Sequence, residues 1–463
     1  MRLQKYIGDR AFYRRLFAVM LPILVQTLIT NFVNLLDNVM VGQVGTEPMS
    51  GVAIVNQLLF VFNVCIFGGL AGAGIYTAQF YGAGDHRGVG DSFRAKLYIA
   101  LGAALVFLGL FSAAGESLVG QFIHEGQESL DLAATRVHAM SYMDIMLLQI
   151  PPFALMMVYS STLRETGKAL VPMCAGIAAV LVNLVLNYAL IFGKLGAPKL
   201  GVEGAAIATV IARYLECAIT VVWTHRHRHK NPFITMAFRT WRIPAKLLRG
   251  VAVSGLPLLL NELLWSSGMT ILNQCYSLRG LEVVTAVNIA STVSNLFFVS
   301  FLSLGNATSI LVGQRLGAGD LDGAVEEDTR LLAFTVLMCA LVGAVMAVLA
   351  PAIPKIYNTT EGVRRLAEQL LLVTAVMMPF FGFTNGCYFT LRSGGKVGIT
   401  FLFDSGYQWL VELPLAFFLS RFTAMPIVPM YILIQSTEAG KCILGYVFVK
   451  RRAWVRDLVN TQG

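Results

Sequence analysis

The sequence predicts an all-α polytopic membrane protein. Three observations carry that prediction: its hydropathy, the recurrence of long uncharged runs, and an internal duplication. The chain of 463 residues is 56% hydrophobic and 13% charged, with a mean hydropathy of +0.68. A soluble protein carries about 25% charged residues. Runs such as 97–115, 171–193, 250–275, 331–353 and 397–420 recur along the whole length, and each reaches the roughly 20 residues a membrane-spanning helix needs.

Polar breaks divide the chain into twelve spans, at 15–40, 50–80, 91–114, 132–157, 168–193, 203–224, 248–276, 283–314, 328–350, 365–390, 397–420 and 426–449. The first follows a basic stretch, MRLQKYIGDRAFYRR, and lacks a small-residue cleavage site. It therefore reads as a retained span and not a removed signal peptide. With an inside N-terminus, the inside segments carry 25 Lys/Arg and the outside segments 8. Basic residues concentrate on the cytoplasmic side, so this bias supports twelve spans with both termini in the cytoplasm. It also assigns the net charge of +9 to cytoplasmic loops and not to a nucleic-acid surface. The largest basic stretch, HRHRHKNPF to RTWRIPAK (225–246), reads as a linker despite its alternating histidines. The seven cysteines are scattered singly with no Cys-x-x-Cys pair, which argues against a metal site or a disulfide framework.

The duplication appears as QFYGAGD (79–85) and QRLGAGD (314–320), offset by 235 residues. The same offset carries Pro22 to Pro257, Gly45 to Gly280 and Glu47 to Glu282, with 16 identities over 64 positions in 22–85. A second pair, LRETGK (163–168) and LRSGGK (391–396), is offset by 228. Two six-span halves follow: an N-terminal lobe at 1–224, a basic linker at 225–247 and a C-terminal lobe at 248–463. Six is even, so the halves are parallel repeats related by an axis along the membrane normal. Two bundles of this kind can enclose a cavity and open it alternately to each side, which is transporter architecture. Neither GAGD segment is followed by the Lys-Ser/Thr of a phosphate loop, and no ATPase signature occurs. An active transporter of this kind is driven by an ion gradient.

A carboxylate at the centre of a span costs about 2.5–3.5 kcal/mol on insertion scales, so each is a functional candidate. Asp144, Glu216 and Glu438 are the weaker candidates, Asp144 because it approaches the outer end of span 4. Glu216 follows Arg213 by three residues and Glu438 precedes Lys441 by three, so both are expected to form local ion pairs. Asp37 closes span 1 in LLDNVMVGQVG, with Asn34 three residues before it on the same helix face. In span 5, Asn183 and Asn187 are four apart and share a face, and span 6 adds Thr209. One carboxylate with several neutral oxygens suits Na⁺, while the carboxylate alone can carry a proton. In the second half, Glu262 lies in PLLLNELLWSSG, and Asp404 and Glu412 lie eight apart in FLFDSGYQWLVELP. Interleaved with Trp265, Tyr407 and Trp409, these carboxylates would favour organic cations through charge and cation–π attraction. Gln57 and Asn63 in span 2 are weaker cavity candidates. The glycines of FGGLAGAGIYTAQ (67–79) read as a close interhelical contact.

Taken in order, LLDNVMVGQVG, QFYGAGD with its repeat, LRETGK with LRSGGK, GVEGAAIATVIA and PLLLNELLWSSG resemble the multidrug and toxic compound extrusion (MATE) family over essentially the whole chain. The resemblance implies two six-helix lobes arranged as a V and a drug/cation antiporter. It also implies an N-lobe cation site at Asp37, Asn183, Asn187 and Thr209, with Asp37, Asn183 and Asn187 as the Na⁺ ligands. One branch of the family has a second aspartate where this chain has Asn187, which moves the expected ion toward Na⁺. Span 10 carries no acidic residue here, so a C-lobe cation site would have to use Glu262 and Asp404.

The expected function is therefore export of amphipathic, cationic organic compounds in exchange for Na⁺ or H⁺ across the plasma (inner) membrane. Glu262, Asp404, Asn34, Gln57, Trp265 and Glu412 are the expected substrate contacts. The expected partners are small organic cations and membrane lipids, with a monomeric chain, no nucleic acid and no cofactor beyond the coupling ion. The alternative is a flippase for a lipid-linked headgroup, whose cavity should be cationic, whereas the in-span charges here are mainly acidic. A membrane-embedded enzyme would need clustered histidines or a nucleophile at membrane depth. The six histidines lie in or near loops, apart from His138 at the start of span 4.

Overall fold

The computed structural model describes residues 5–121, 132–357 and 359–460, apart from the side chains at 34, 35, 38 and 46. Every regular element among them is helical. The chain runs α1 Arg10–Gly42, α2 Thr46–Gly82, α3 His86–Gly120 and α4 Leu132–Met146, then a 3₁₀ turn at Leu147–Gln149 into α5 Ile150–Glu165. Pro151 and Pro152 have no N–H to give the carbonyls one turn back, which explains why the ladder tightens there. Next come α6 Leu170–Phe192, α7 Val202–Arg226 and the short α8 Pro232–Ala237. The second half holds α9 Ala245–Ser277, α10 Leu281–Gly317, α11 Leu321–Leu349 and α12 Glu361–Ser393.

The span expected at 397–420 is not one regular helix. It is built from α13 Val397–Phe401, π-helical turns at Leu402–Gly406 and Gln408–Glu412, and α14 Leu413–Phe422. Pro414 cannot donate to the carbonyl four residues earlier, which loosens the ladder just before it. The last helix is α15 Ile427–Lys450. Among the described residues, eleven helices are long and apolar enough to cross a membrane, counting α4 to α5 as one. The interrupted α13–α14 segment makes the twelfth. Several helices are longer than expected: α2 and α10 have 37 residues each, about 55 Å at 1.5 Å per residue, against a hydrocarbon core of about 30 Å. Helices of that length exceed what the hydrocarbon core needs, so their ends can carry polar side chains. Leu105, Val106, Val348 and Phe422 point outward and remain exposed, as lipid-facing positions do.

The chain divides into two compact units. One takes the chain up to Leu24, Ala78–Asp85 and everything from Leu256, and the other takes Val25–Thr77 and His86–Gly255. In the first unit, the two copies of the Gln-x-x-Gly motif pack on one another reciprocally. A Cβ added at Gly82 would run into the Gln314 carbonyl, and one at Gly317 into the Gln79 carbonyl. Such an i-to-j and j-to-i pairing is what a two-fold relation between repeats produces, and it explains why both motifs need glycine. The polar tail after α15 folds onto the same place. Trp454 is fully buried, the Leu458 N–H donates to Gln79 Oε1 at 2.8 Å, and Asn460 Nδ2 donates to the Gly317 carbonyl at 3.0 Å.

In the second unit, α2 and α9 cross at Gly72, where an added Cβ would lie 2.5 Å from Gly255 Cα. Lys96 is fully buried, ion-paired to Glu165, and donates to Ser161 and Thr162 at 3.2 Å. Arg94 pairs with Asp91 and donates to the carbonyls of Met236 and Ala237, both at 2.9 Å, which ties α8 of the basic linker to α3. The linker histidines have structural partners. His225 Nε2 lies 2.9 Å from the Tyr159 hydroxyl, and the His227 ring stacks on Trp223.

Candidate functional site

Two groups of in-span carboxylates emerge, one in each compact unit. The first is centred on Asp37, five residues before the end of α1. Asn187 Nδ2 donates to Asp37 Oδ1 at 2.5 Å, and also to Asn183 Oδ1 at 3.2 Å. Asn183 Nδ2 in turn reaches Thr209 Oγ1 at 3.4 Å. The four-residue spacing in α6 brings the two amides onto one stripe. That stripe is buried, with Asn183 5% and Asn187 1% exposed. With its amide turned, Asn183 donates to both carboxylate oxygens of Asp37 at 3.2 Å, while Asn187 Oδ1 is buried without a donor. Among the described residues no Lys or Arg lies within ion-pair distance of Asp37. Arg213 acts on it from farther away and is itself held by Glu216 at 3.0 Å. The expected local pair at 213 and 216 is therefore present. Tyr142, also within electrostatic reach of Asp37, donates to Asn56 Oδ1 at 3.4 Å.

The second group lies on α9, the π-helical turns and α15. Asp404 Oδ1 accepts from Lys441 Nζ at 2.8 Å, and its Oδ2 accepts from Asn261 Nδ2 at 3.0 Å. Asn261 is 1% exposed, and its Oδ1 accepts from the Ser405 N–H and hydroxyl at 3.2 and 2.8 Å. The ammonium of Lys441 is 3.8 Å from Glu438 Oε1 and lies over the Phe403 ring, 5.5 Å from its centroid. Glu262 accepts from the Tyr388 hydroxyl at 3.4 Å, with Arg392 acting on it electrostatically. Glu412 is within electrostatic reach of Glu438, Lys441 and Asp404. The local pair expected for Glu438 and Lys441 is therefore present at 3.8 Å, and Lys441 has a second, shorter partner in Asp404, from another element.

A family model described as MatE matches residues 22–189 and again 257–418. The chain belongs to the MatE family. Its two matched stretches reproduce the duplication seen in the sequence. A probable multidrug resistance protein NorM of Thermotoga maritima is 21% identical over 450 residues, covering 97% of this chain and 94% of that protein. Multidrug resistance protein PmpM of Pseudomonas aeruginosa is 26% identical over 436 residues, covering 90% and 85%. In fold, the MatE chain is similar to an outward-facing multidrug resistance MATE family transporter of the MOP superfamily, with a TM-score of 0.86, 19% identity and 98% of both chains covered. It is likewise similar to a Pyrococcus furiosus transporter of that superfamily, described as having a binding pocket of reverse polarity (TM-score 0.83, 17% identity, 98% of both chains).

Of the residues singled out in the sequence, Asp37, Asn183, Asn187 and Thr209 come together, and so do Asp404 and Glu412. Glu262 is joined to Tyr388 and to the field of Asp404. Gln57 is exposed on α2 and Trp265 on α9. Trp409 donates its indole N–H to the Leu264 carbonyl at 3.0 Å. The side chain of Asn34 lies outside the described residues. Sequence reasoning missed Asn261, Tyr388 and the contact of Lys441 with Asp404. Asn261 was visible as the polar residue beside Glu262, whereas no periodicity signals a contact between α15 and a π-helical turn.

Proposed function

We propose that the protein exports amphipathic, cationic organic compounds across the plasma (inner) membrane in exchange for Na⁺ or H⁺, by alternating access, with Asp37 as the ion-coupling carboxylate. The chain is a multi-pass membrane transporter of the MatE family and not an enzyme. Its substrates are small organic molecules and its driving force an ion gradient. The observation that carries the finer reading is the setting of Asp37, an in-span carboxylate grouped with the neutral side chains of Asn187, Asn183 and Thr209 and with no basic side chain in ion-pair contact among the described residues. A small cation entering from outside would be ligated by Asp37, Asn183, Asn187 and Thr209. Neutral oxygens beside one carboxylate favour Na⁺, since a proton needs only the carboxylate. Neutralising Asp37 removes the demand for the Asn187 donor, changes the hydrogen bonds that join α1, α6 and α7, and thereby favours substrate release.

Glu262, Asp404 and Glu412, with Trp265, Gln57 and Asn34, are assigned to the organic cation. The N-terminal lobe (1–224), the linker (225–247) and the C-terminal lobe (248–463) are the proposed functional halves, in a monomer surrounded by lipid with both termini in the cytoplasm. A lipid-headgroup flippase is the weaker reading, because Glu262, Asp404, Glu412 and Glu438 outnumber the basic groups near them. The test is efflux of tetraphenylphosphonium from proteoliposomes under an imposed Na⁺ gradient or an imposed pH gradient. Acceleration by the Na⁺ gradient is expected, and indifference to both gradients would sink the proposal.

A further inference from the structure

Lys441 sits in a place built for a cation. Its ammonium meets Asp404 at 2.8 Å and Glu438 at 3.8 Å, and the Phe403 ring lies beneath it. Carboxylates around an aromatic face are how proteins hold alkylammonium ligands. Asp404 is preset for this role, because Asn261 fixes its second oxygen at 3.0 Å. The site is over-supplied with negative charge. Glu438 Oε2 is buried without a donor, and Glu412 adds a third carboxylate within electrostatic reach. One turn along the same π-helical segment, Gln408 is 3% exposed and neither end of its amide has a partner. One lysine therefore does not satisfy the groups gathered there. The place is also reachable: the side chains of Lys441, Asp404 and Glu438 keep 12, 18 and 17% of their surface exposed.

We propose that Lys441 is a tethered cation occupying a ready-made organic-cation site formed by Asp404, Glu438 and Phe403, and that a cationic substrate must displace it there. Lys441 is then the specificity-determining residue of the second half. Weakly attracted or neutral compounds fail to displace it, while a cation with an apolar body gains the carboxylates and the ring together. The inference rests on reading Glu262, Asp404 and Glu412 as substrate-binding groups.

The test uses the full chain in lipid nanodiscs, with tetraphenylphosphonium as the binding probe. Lys441→Gln removes the competitor, and the probe should bind about tenfold more tightly. Lys441→Arg, whose planar fork grips a carboxylate more firmly, should bind it several-fold more weakly than the wild type. In Lys441→Ala, n-propylammonium chloride should raise the unfolding temperature well above what equimolar potassium chloride does, with little effect on the wild type. Equal probe affinity across the Gln, Lys and Arg series would overturn the inference, as would an equal propylammonium response in wild type and Lys441→Ala. If the Gln and Ala variants do not fold, the Arg variant decides alone: unchanged affinity rejects the inference. Glu262→Gln and Glu412→Gln separate the two levels. Should both leave probe binding intact, the substrate reading fails and takes the inference with it. Should they weaken binding while the Lys441 series stays flat, only the role of Lys441 falls.

Discussion

Asp37 and Asp404 are both carboxylates inside apolar spans, yet they meet opposite surroundings. Asp37 receives neutral amides, Asn187 at 2.5 Å and Asn183, once turned, at 3.2 Å, with no basic side chain in ion-pair contact among the described residues. Asp404 receives an ammonium at 2.8 Å and an amide at 3.0 Å. A charge in a membrane span is costly, and the chain compensates Asp404 with its own lysine at 2.8 Å, while on the proposed reading an ion from outside compensates Asp37. The repeats point the same way, since the position matching Asp37 in the second half is Leu272, a buried member of the apolar core. Duplication supplied the same scaffold twice, and under the proposed function the two halves divide ion handling from cation recognition.

The sharpest way to break this comparison is to remove each charge in turn. Asp37→Asn should cut gradient-driven efflux by about a hundredfold while changing stability by only about 1 kcal/mol, because Asn187 keeps an acceptor. Transport assays beside a melting curve would read both. Asp404→Asn should do the reverse at the level of folding. It leaves Lys441 with Glu438 at 3.8 Å as its nearest carboxylate and removes its charge-assisted hydrogen bond, which should cost about 1.5–3 kcal/mol, seen as a lowered unfolding temperature. A melting curve matching the wild type would remove the internal-counter-ion account. Asn187→Asp places a second carboxylate beside the first. Two such groups share a proton at neutral pH, so efflux should shift from dependence on Na⁺ toward dependence on an imposed pH gradient. Thr209→Val keeps the shape and removes one neutral oxygen. Half-maximal activation should then need about fivefold more Na⁺, the scale of one hydrogen-bonding group.

Much of this contrast was legible in the sequence. Asp37, Asn183, Asn187 and Thr209 are each a polar residue inside an apolar run, and the four-residue step in α6 made one stripe of the amides. The pair at 213 and 216 followed from helical spacing alone. So did the 3.8 Å pair of Glu438 with Lys441. The shorter contact of Lys441 did not: it reaches Asp404, 37 residues away. The turns carrying Asp404 are π-helical, so α-helical spacing misplaces every side chain beyond them. Lys96 and Glu165 were hidden for another reason. Helices longer than the bilayer place them beyond the apolar run, where charges look like ordinary loop residues, yet they form a buried pair. The docking of Leu458 on Gln79 and of Asn460 on Gly317, in the repeated Gln-x-x-Gly motifs, joins segments more than a hundred residues apart, which no local pattern encodes.

If one carboxylate site is open to a coupling ion while the other holds its own cation, the number of bound Na⁺ should show it in equilibrium dialysis of the purified protein against radioactive sodium. One Na⁺ per chain is expected in the wild type, none in Asp37→Asn, and one still in Glu262→Gln. Undiminished binding in Asp37→Asn, or a second Na⁺ in the wild type that is lost in Glu262→Gln, would contradict it.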